Sequence, residues 1–130
     1  MKLTLAIFAL SLTLSSSLFA HEEESFFPLT EFELADGRDV IADTNGKVAY
    51  TFDVDDVNVS NCYDACAKAW PPITVKSAEG IKAPMGVVTR KDGTLQLTLD
   101  GSPLYYFVGD AKAGDINGDG LGGVWHIIID

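Results

Sequence analysis

The feature that most constrains this chain is that it repeats itself. Tyr50, Phe52 and Asp55 spell Tyr-x-Phe-x-x-Asp, and Tyr105, Phe107 and Asp110 spell it again; fifteen residues beyond each aspartate stands a tryptophan, Trp70 and then Trp125. These four pairs are offset by 55, as are Gly46 and Gly101, while the upstream pairs Asp36-Gly37 and Asp92-Gly93 are offset by 56, one inserted residue. So many anchors in register describe two copies of one folding unit. The expected architecture is a single domain, residues 29–130, with halves near 29–75 and 84–130.

Each copy reads as a β-meander. Asp36-Gly37, Asn45-Gly46, Asp92-Gly93 and Asp100-Gly101 are hairpin signals, because Gly, Asn and Asp tolerate the positive φ that primed turns demand. Between them the period is two: Thr94, Gln96 and Thr98 alternate with Leu95, Leu97 and Leu99, and Glu31 and Glu33 with Phe32 and Leu34, which predicts one wet and one packed face. Val48, Tyr50 and Phe52 share a face, and the apolar stretch 124–129 predicts a central strand covered on both sides. A helix is expected only over residues 62–69, from Cys62 to Ala69, with Ser60 or Asn61 as cap and Pro71-Pro72 as stop. The predicted fold is mainly β: a small antiparallel sandwich or barrel made of two pseudo-repeated meanders, with one short helix.

The first twenty residues read as an export signal: Lys2, an apolar run over 3–14, and small residues ending at a cleavage site after Ala20. That run is too short to span a bilayer, and 124–129 is only six residues, so no transmembrane segment is expected. No cysteine follows the cut to accept a lipid, so there is no lipobox and the product should be periplasmic or secreted, soluble and monomeric. Residues 21–28 are expected to form an acidic mobile tail. With 9 basic against 19 acidic residues the formal charge is -10, which argues against nucleic acid and anionic membranes as partners.

The repeated motif has two readings. Tyr50, Phe52, Tyr105 and Phe107 can build an aromatic core while Asp55 and Asp110 accept hydrogen bonds from turn amides or a tryptophan N–H. Alternatively, the two aspartates converge as an acid/base pair. Cys62 and Cys66, four residues apart, fall within disulfide reach if helical, roughly 6 Å between Cα atoms, and the bond would close a five-residue loop worth about 2 kcal/mol. The competing use is a Cu(I) site on the two thiolates, with Met85 or His126 assisting. Asp115, Asn117 and Asp119 open like an EF-hand calcium loop, but its twelfth position is His126 in place of a bidentate Glu. The alternative there is a plain turn. His21, terminal after cleavage, is a candidate Cu(II) chelator. With one histidine in the domain, and neither a Walker loop nor a dinucleotide fingerprint, the chain is not expected to be an enzyme.

Taken together, residues 46–55, Ser60, Cys62, Cys66, Trp70-Pro71-Pro72, Arg90-x-Asp92-Gly93-Thr94, Gly101-x-Pro103-Leu104-Tyr105, Gly109-Asp110, Gly114-Asp115, Gly118, Gly120 and Trp125 resemble the bacterial family called secreted repeat of unknown function. Its members are described as predicted lipoproteins with a Tyr-x-(Phe/Trp/Tyr)-x-x-Asp motif. The resemblance covers roughly residues 34–129 and implies an exported protein with two motif copies, without implying an activity. This chain departs from the pattern in lacking the lipobox cysteine and in having Asp119 where a glutamine is expected. The resulting expectation is an exported, non-enzymatic module that binds an envelope protein or a small ligand. A metal or redox accessory protein, holding copper at Cys62 and Cys66 or calcium at 115–119, is the alternative.

Overall fold

The computed structural model describes residues 25–130, with Ala9 and Ser11. The export signal, its cleavage site and His21 fall outside the described residues. In chain order the elements are β1 (Thr30–Glu33), β2 (Asp39–Ala42), β3 (Tyr50–Phe52), α1 (Ala65–Ala69), β4 (Thr74–Val75), β5 (Met85–Thr89), β6 (Leu95–Leu99), β7 (Ser102–Pro103), a 3-10 turn (Leu121–Gly123) and β8 (Trp125–Ile127). The fold is mainly β, in several small antiparallel sheets that do not close into a barrel.

Each half contributes one main hairpin, β1–β2 or β5–β6. Their turns match in detail. Gly37 N–H donates to the Leu34 carbonyl and Leu34 N–H to Arg38; Gly93 N–H donates to Arg90 and Arg90 N–H to Thr94. Asp36 and Asp92 each accept the amide two residues on. Only the glycine is left-handed in these loops, so they are type I turns with a bulge rather than the primed turns expected. Asp100-Gly101 between β6 and β7 does have positive φ at both residues, the two-residue primed turn that the dipeptide predicts.

The halves are interlaced. β3, from the first half, pairs with β8 at the end of the second, Tyr50 opposite Ile127 and Phe52 opposite Trp125. The equivalent segment of the second half lies on residues 70–72 of the first: Pro72 bridges Tyr105, and Tyr106 N–H donates to the Pro71 carbonyl. Likewise β4 of the first half adds to β6 of the second, and residues 128–130 return to β2, with Ile41 N–H on Ile128 and Asp130 N–H on Asp39. Prolines at 71 and 72 carry no N–H, which limits this stretch to isolated bridges where β8 makes a ladder.

Strand alternation feeds two cores. Val40, Ala42, Val48 and Tyr50 point into an aromatic core with Trp70, Tyr105 and Trp125; Ile41 and Ala49 point into an aliphatic one with Leu97, Leu99, Leu104 and Met85. Four expectations change. The helix starts at Ala65, after Asp64 at φ 54, and neither Ser60 nor Asn61 caps it, because both side chains are engaged elsewhere. Gln96 and Thr98 are buried, not wet, because the other half's segments cover that face too. Of 124–129 only Trp125–Ile127 is strand, and Ile129 is exposed because the chain leaves β3 there to run along β2. Phe26, within the stretch 21–28 expected to be a mobile tail, lies against the aliphatic core and closes a turn onto Leu29.

Candidate functional site

The motif residues meet where the halves cross. Tyr50 and Tyr105 exchange backbone hydrogen bonds, N–H to carbonyl at 2.8 and 3.0 Å, as antiparallel neighbours related by a pseudo-two-fold axis. Their hydroxyls then cross between copies: Tyr50 donates to Asp110 Oδ2 at 2.6 Å, and Tyr105 to Asp55 Oδ2 at 2.7 Å. Each aspartate spends its other oxygen on its own loop, Asp55 accepting from Asn61 N–H at 2.7 Å and Asp110 from Asn117 N–H at 2.9 Å. Both aspartates therefore accept turn amides, and their second donor is the other copy's tyrosine, not a tryptophan N–H. Burial, then the adjacent carboxylate, pushes Tyr50 far above the ordinary phenol range; burial does the same to Tyr105, with the Asp55 carboxylate adding to it. Burial also raises Asp55, against the pull of its hydrogen bonds and of the Arg90 charge.

The same axis organises the rings. Trp70 and Trp125 stack face to face, centroids 3.8 Å apart and planes within 2°. Phe52 stacks on the outer face of Trp125 at 4.1 Å, and Phe107 on Trp70 at 4.3 Å, giving a column Phe52–Trp125–Trp70–Phe107. Tyr50 and Tyr105 meet the indoles edge-on at 5.1 and 5.2 Å. Such pairs contribute about 0.5–1.5 kcal/mol each beyond area burial. Gly118 is required beside this column: a Cβ there would lie 2.4 Å from the Trp70 ring.

The two walls around the column differ. Leu34, Val40 and Ala42 line it in one half, and the residues 56 positions on are Arg90, Gln96 and Thr98, all buried. Arg90 Nη1 donates to Ser60 Oγ at 2.9 Å and Gln96 Oε1 at 2.8 Å, and Nη2 to the Cys62 carbonyl at 2.8 Å. Its guanidinium also lies 4.2 Å over the Tyr63 ring. Gln96 Nε2 donates onward to the Leu104 carbonyl. Because Tyr105 gives its proton to Asp55, Ser60 donates to Tyr105 at 2.6 Å, and a directed chain runs Arg90, Ser60, Tyr105, Asp55. Sequence reading passed over Arg90, Ser60 and Gln96 as functional residues. The signal lay in the copies' divergence, since Arg90 and Gln96 stand where the first copy has Leu34 and Val40.

The remaining candidates separate. Cys62 and Cys66 form a disulfide, with Cα atoms 5.3 Å apart, so their sulfurs are not the free thiolates that Cu(I) requires. Met85 belongs to the aliphatic core and Cys62 to the aromatic one, and His126 bonds Asp53 at 2.7 Å. Asp115 accepts the amides of Ala111 and Lys112, Asn117 donates to the Gly109 carbonyl, and Asp119 accepts from Ile127 N–H. Each is engaged in closing a turn. Among the described residues no three of His, Cys, Asp and Glu gather as a metal-holding group. Asp55 and Asp110 sit in separate hydrogen-bonded sets and do not share an acid/base site. A hollow of about 730 Å³, lined by Phe26, Leu29, Glu31 and Asp130 among others, includes none of the motif residues.

No helix among the described residues is long and apolar enough to cross a membrane. No curated protein and no solved structure matches this chain. The model of one protein family does, twice, over residues 32–74 and 86–128, so each match spans one of the interlaced copies and together they take in both motifs and both tryptophans. The chain belongs to the family described as a secreted repeat of unknown function.

Proposed function

We propose that this protein acts outside the cytoplasm, after cleavage near Ala20, as a non-enzymatic module of the bacterial envelope that binds a protein or small ligand through its loops. One observation carries the reading: the residues that define the repeat are satisfied by one another. Each motif tyrosine is bonded to the other copy's aspartate, and the phenylalanines and tryptophans fill one column. Groups held in this way supply rigidity and offer no free nucleophile or base to a bound substrate. The surface available for recognition is then the loops, where Val57, Val108 and Leu121 are exposed apolar residues.

The test places a photo-crosslinking side chain at Val57, Val108 or Leu121 in the exported protein. The expected result is a discrete adduct from at least one position in the envelope fraction. Thiol titration of the same preparation is expected to find no free thiol. Absence of any adduct, together with two titratable thiols that take one equivalent of Cu(I), would turn the assignment to a metal accessory protein.

A further inference from the structure

We propose that the stacked indoles of Trp70 and Trp125, with the Tyr50–Asp110 and Tyr105–Asp55 pairs beside them, form a site that takes one oxidising equivalent from an oxygen-centred radical and holds it as a neutral tyrosyl radical. This goes beyond the binding role and does not depend on it.

Four features of the cluster point the same way. First, two indoles within 2° of parallel at 3.8 Å face each other with the electron-rich surfaces that ring quadrupoles keep apart. A positive charge shared between those faces converts the repulsion into the attraction that a cation feels over a ring. Secondly, neither indole N–H has an acceptor among the described residues, and no fully buried side-chain nitrogen or oxygen there is left unpaired, so each N–H keeps a sliver of contact with solvent although the rings are only 7% and 6% exposed. Tyr50 and Tyr105 are fully buried, so what contact this cluster has with an external oxidant runs through the tryptophan edges and not the motif phenols. Thirdly, each tyrosine ring touches an indole, at 5.1 Å for Tyr50 on Trp70 and 5.2 Å for Tyr105 on Trp125, which allows an electron to pass between them. Fourthly, a phenol that loses an electron must release its proton, and here a carboxylate oxygen waits at 2.6 or 2.7 Å. That carboxylate is held in position by an amide on its other oxygen.

The step balances. The oxygen-centred radical gains one electron from an indole and leaves as its anion. The indole radical cation takes one electron from the adjacent tyrosine, and the phenolic proton moves along the hydrogen bond to the aspartate. The products are an intact indole, a neutral tyrosyl radical and a protonated carboxyl group.

The test uses the mature chain, with carbonate radical generated by flash photolysis, transient absorption to follow the indole radical and freeze-quench paramagnetic resonance to identify the tyrosyl. The protein has four tyrosines, so the variant Tyr63→Phe with Tyr106→Phe leaves only the motif pair. A tyrosyl signal that survives in this variant is expected; its loss would overturn the proposal. When Tyr50→Phe and Tyr105→Phe are added to that same background, which keeps all the rings, the tyrosyl signal should vanish and the indole radical should persist longer. An unchanged indole decay in that variant, with near-ultraviolet circular dichroism showing it folded, would also overturn it.

Discussion

The crossing of tyrosine to aspartate between copies makes a quantitative prediction about which residues are energetically coupled. Removing the Tyr50 hydroxyl as Tyr50→Phe leaves a buried Asp110 oxygen without its donor and takes an acceptor from the Gly118 amide. A hydrogen bond to a charged group is worth about 1.5–3 kcal/mol net. Asp110→Asn offers one carbonyl oxygen where two donors, Tyr50 Oη–H and Asn117 N–H, now each have their own, so one is left unsatisfied at about 1–3 kcal/mol. Each single substitution should therefore cost roughly 2 kcal/mol, lowering Tm by about 10 °C in a domain of this size. The double variant should cost less than the sum by about 1–2 kcal/mol, because both changes remove the same bond. The control is the pair that is close in sequence: Tyr50→Phe with Asp55→Asn should be additive to within about 0.5 kcal/mol. Urea unfolding followed by circular dichroism, at constant m-value, measures all the terms. Coupling in the 50/55 pair with none in the 50/110 pair would refute the crossed arrangement.

Three further outcomes follow from the same geometry. Asp55 has a folded pKa above its unfolded value of 3.8, so the folded chain binds that proton first, and the burial cost of the charge is relieved as pH falls through the folded value towards 3.8. The stability of wild type relative to Asp55→Asn should accordingly rise over that window, and a difference that shrinks on acidification in matched urea titrations would contradict the assignment. Gly118→Ala, with no strained φ but a Cβ set 2.4 Å from the Trp70 ring, should cost about 1–3 kcal/mol by overpacking, whereas Gly93→Ala, at φ +86 in open space, should cost only the left-handed penalty of about 1–2 kcal/mol and leave the near-ultraviolet spectrum unchanged. Arg90→Lys should lower Tm despite keeping the charge, by the equivalent of about 2 kcal/mol or more, because one ammonium cannot reach Ser60, Gln96 and the Cys62 carbonyl in the guanidinium's fork; a thermal melt within 2 °C of wild type, roughly the scatter expected of a neutral surface change, would show that fork to be unimportant.

The repeat was legible because it is a statement about spacing, and spacing survives in a linear string. The partner of each strand was not, because nothing in Tyr50-Thr51-Phe52 distinguishes pairing within a copy from pairing with residues 125–127 of the other. That missing fact also explains why Gln96 and Thr98 are buried where alternation predicts a wet face. Alternation in β6 correctly assigned Gln96 and Leu97 to opposite faces, but a period of two cannot tell whether the second face meets water or another segment of chain. Once strands are exchanged, both faces are covered, and Arg90 with Gln96 becomes an internal polar wall where the first copy has Leu34 and Val40. The exchange also explains why the motif comes twice. The hydroxyl of a motif tyrosine in either copy donates to the aspartate of the other, so neither copy can lose its motif without stripping a buried partner from its mate. The matched positions are thereby bound to the fold. A property belonging to one half alone has to arise where the copies differ, and the buried positions that differ include Arg90 and Gln96, Arg90 donating both to Gln96 and to Ser60, which in turn bonds Tyr105.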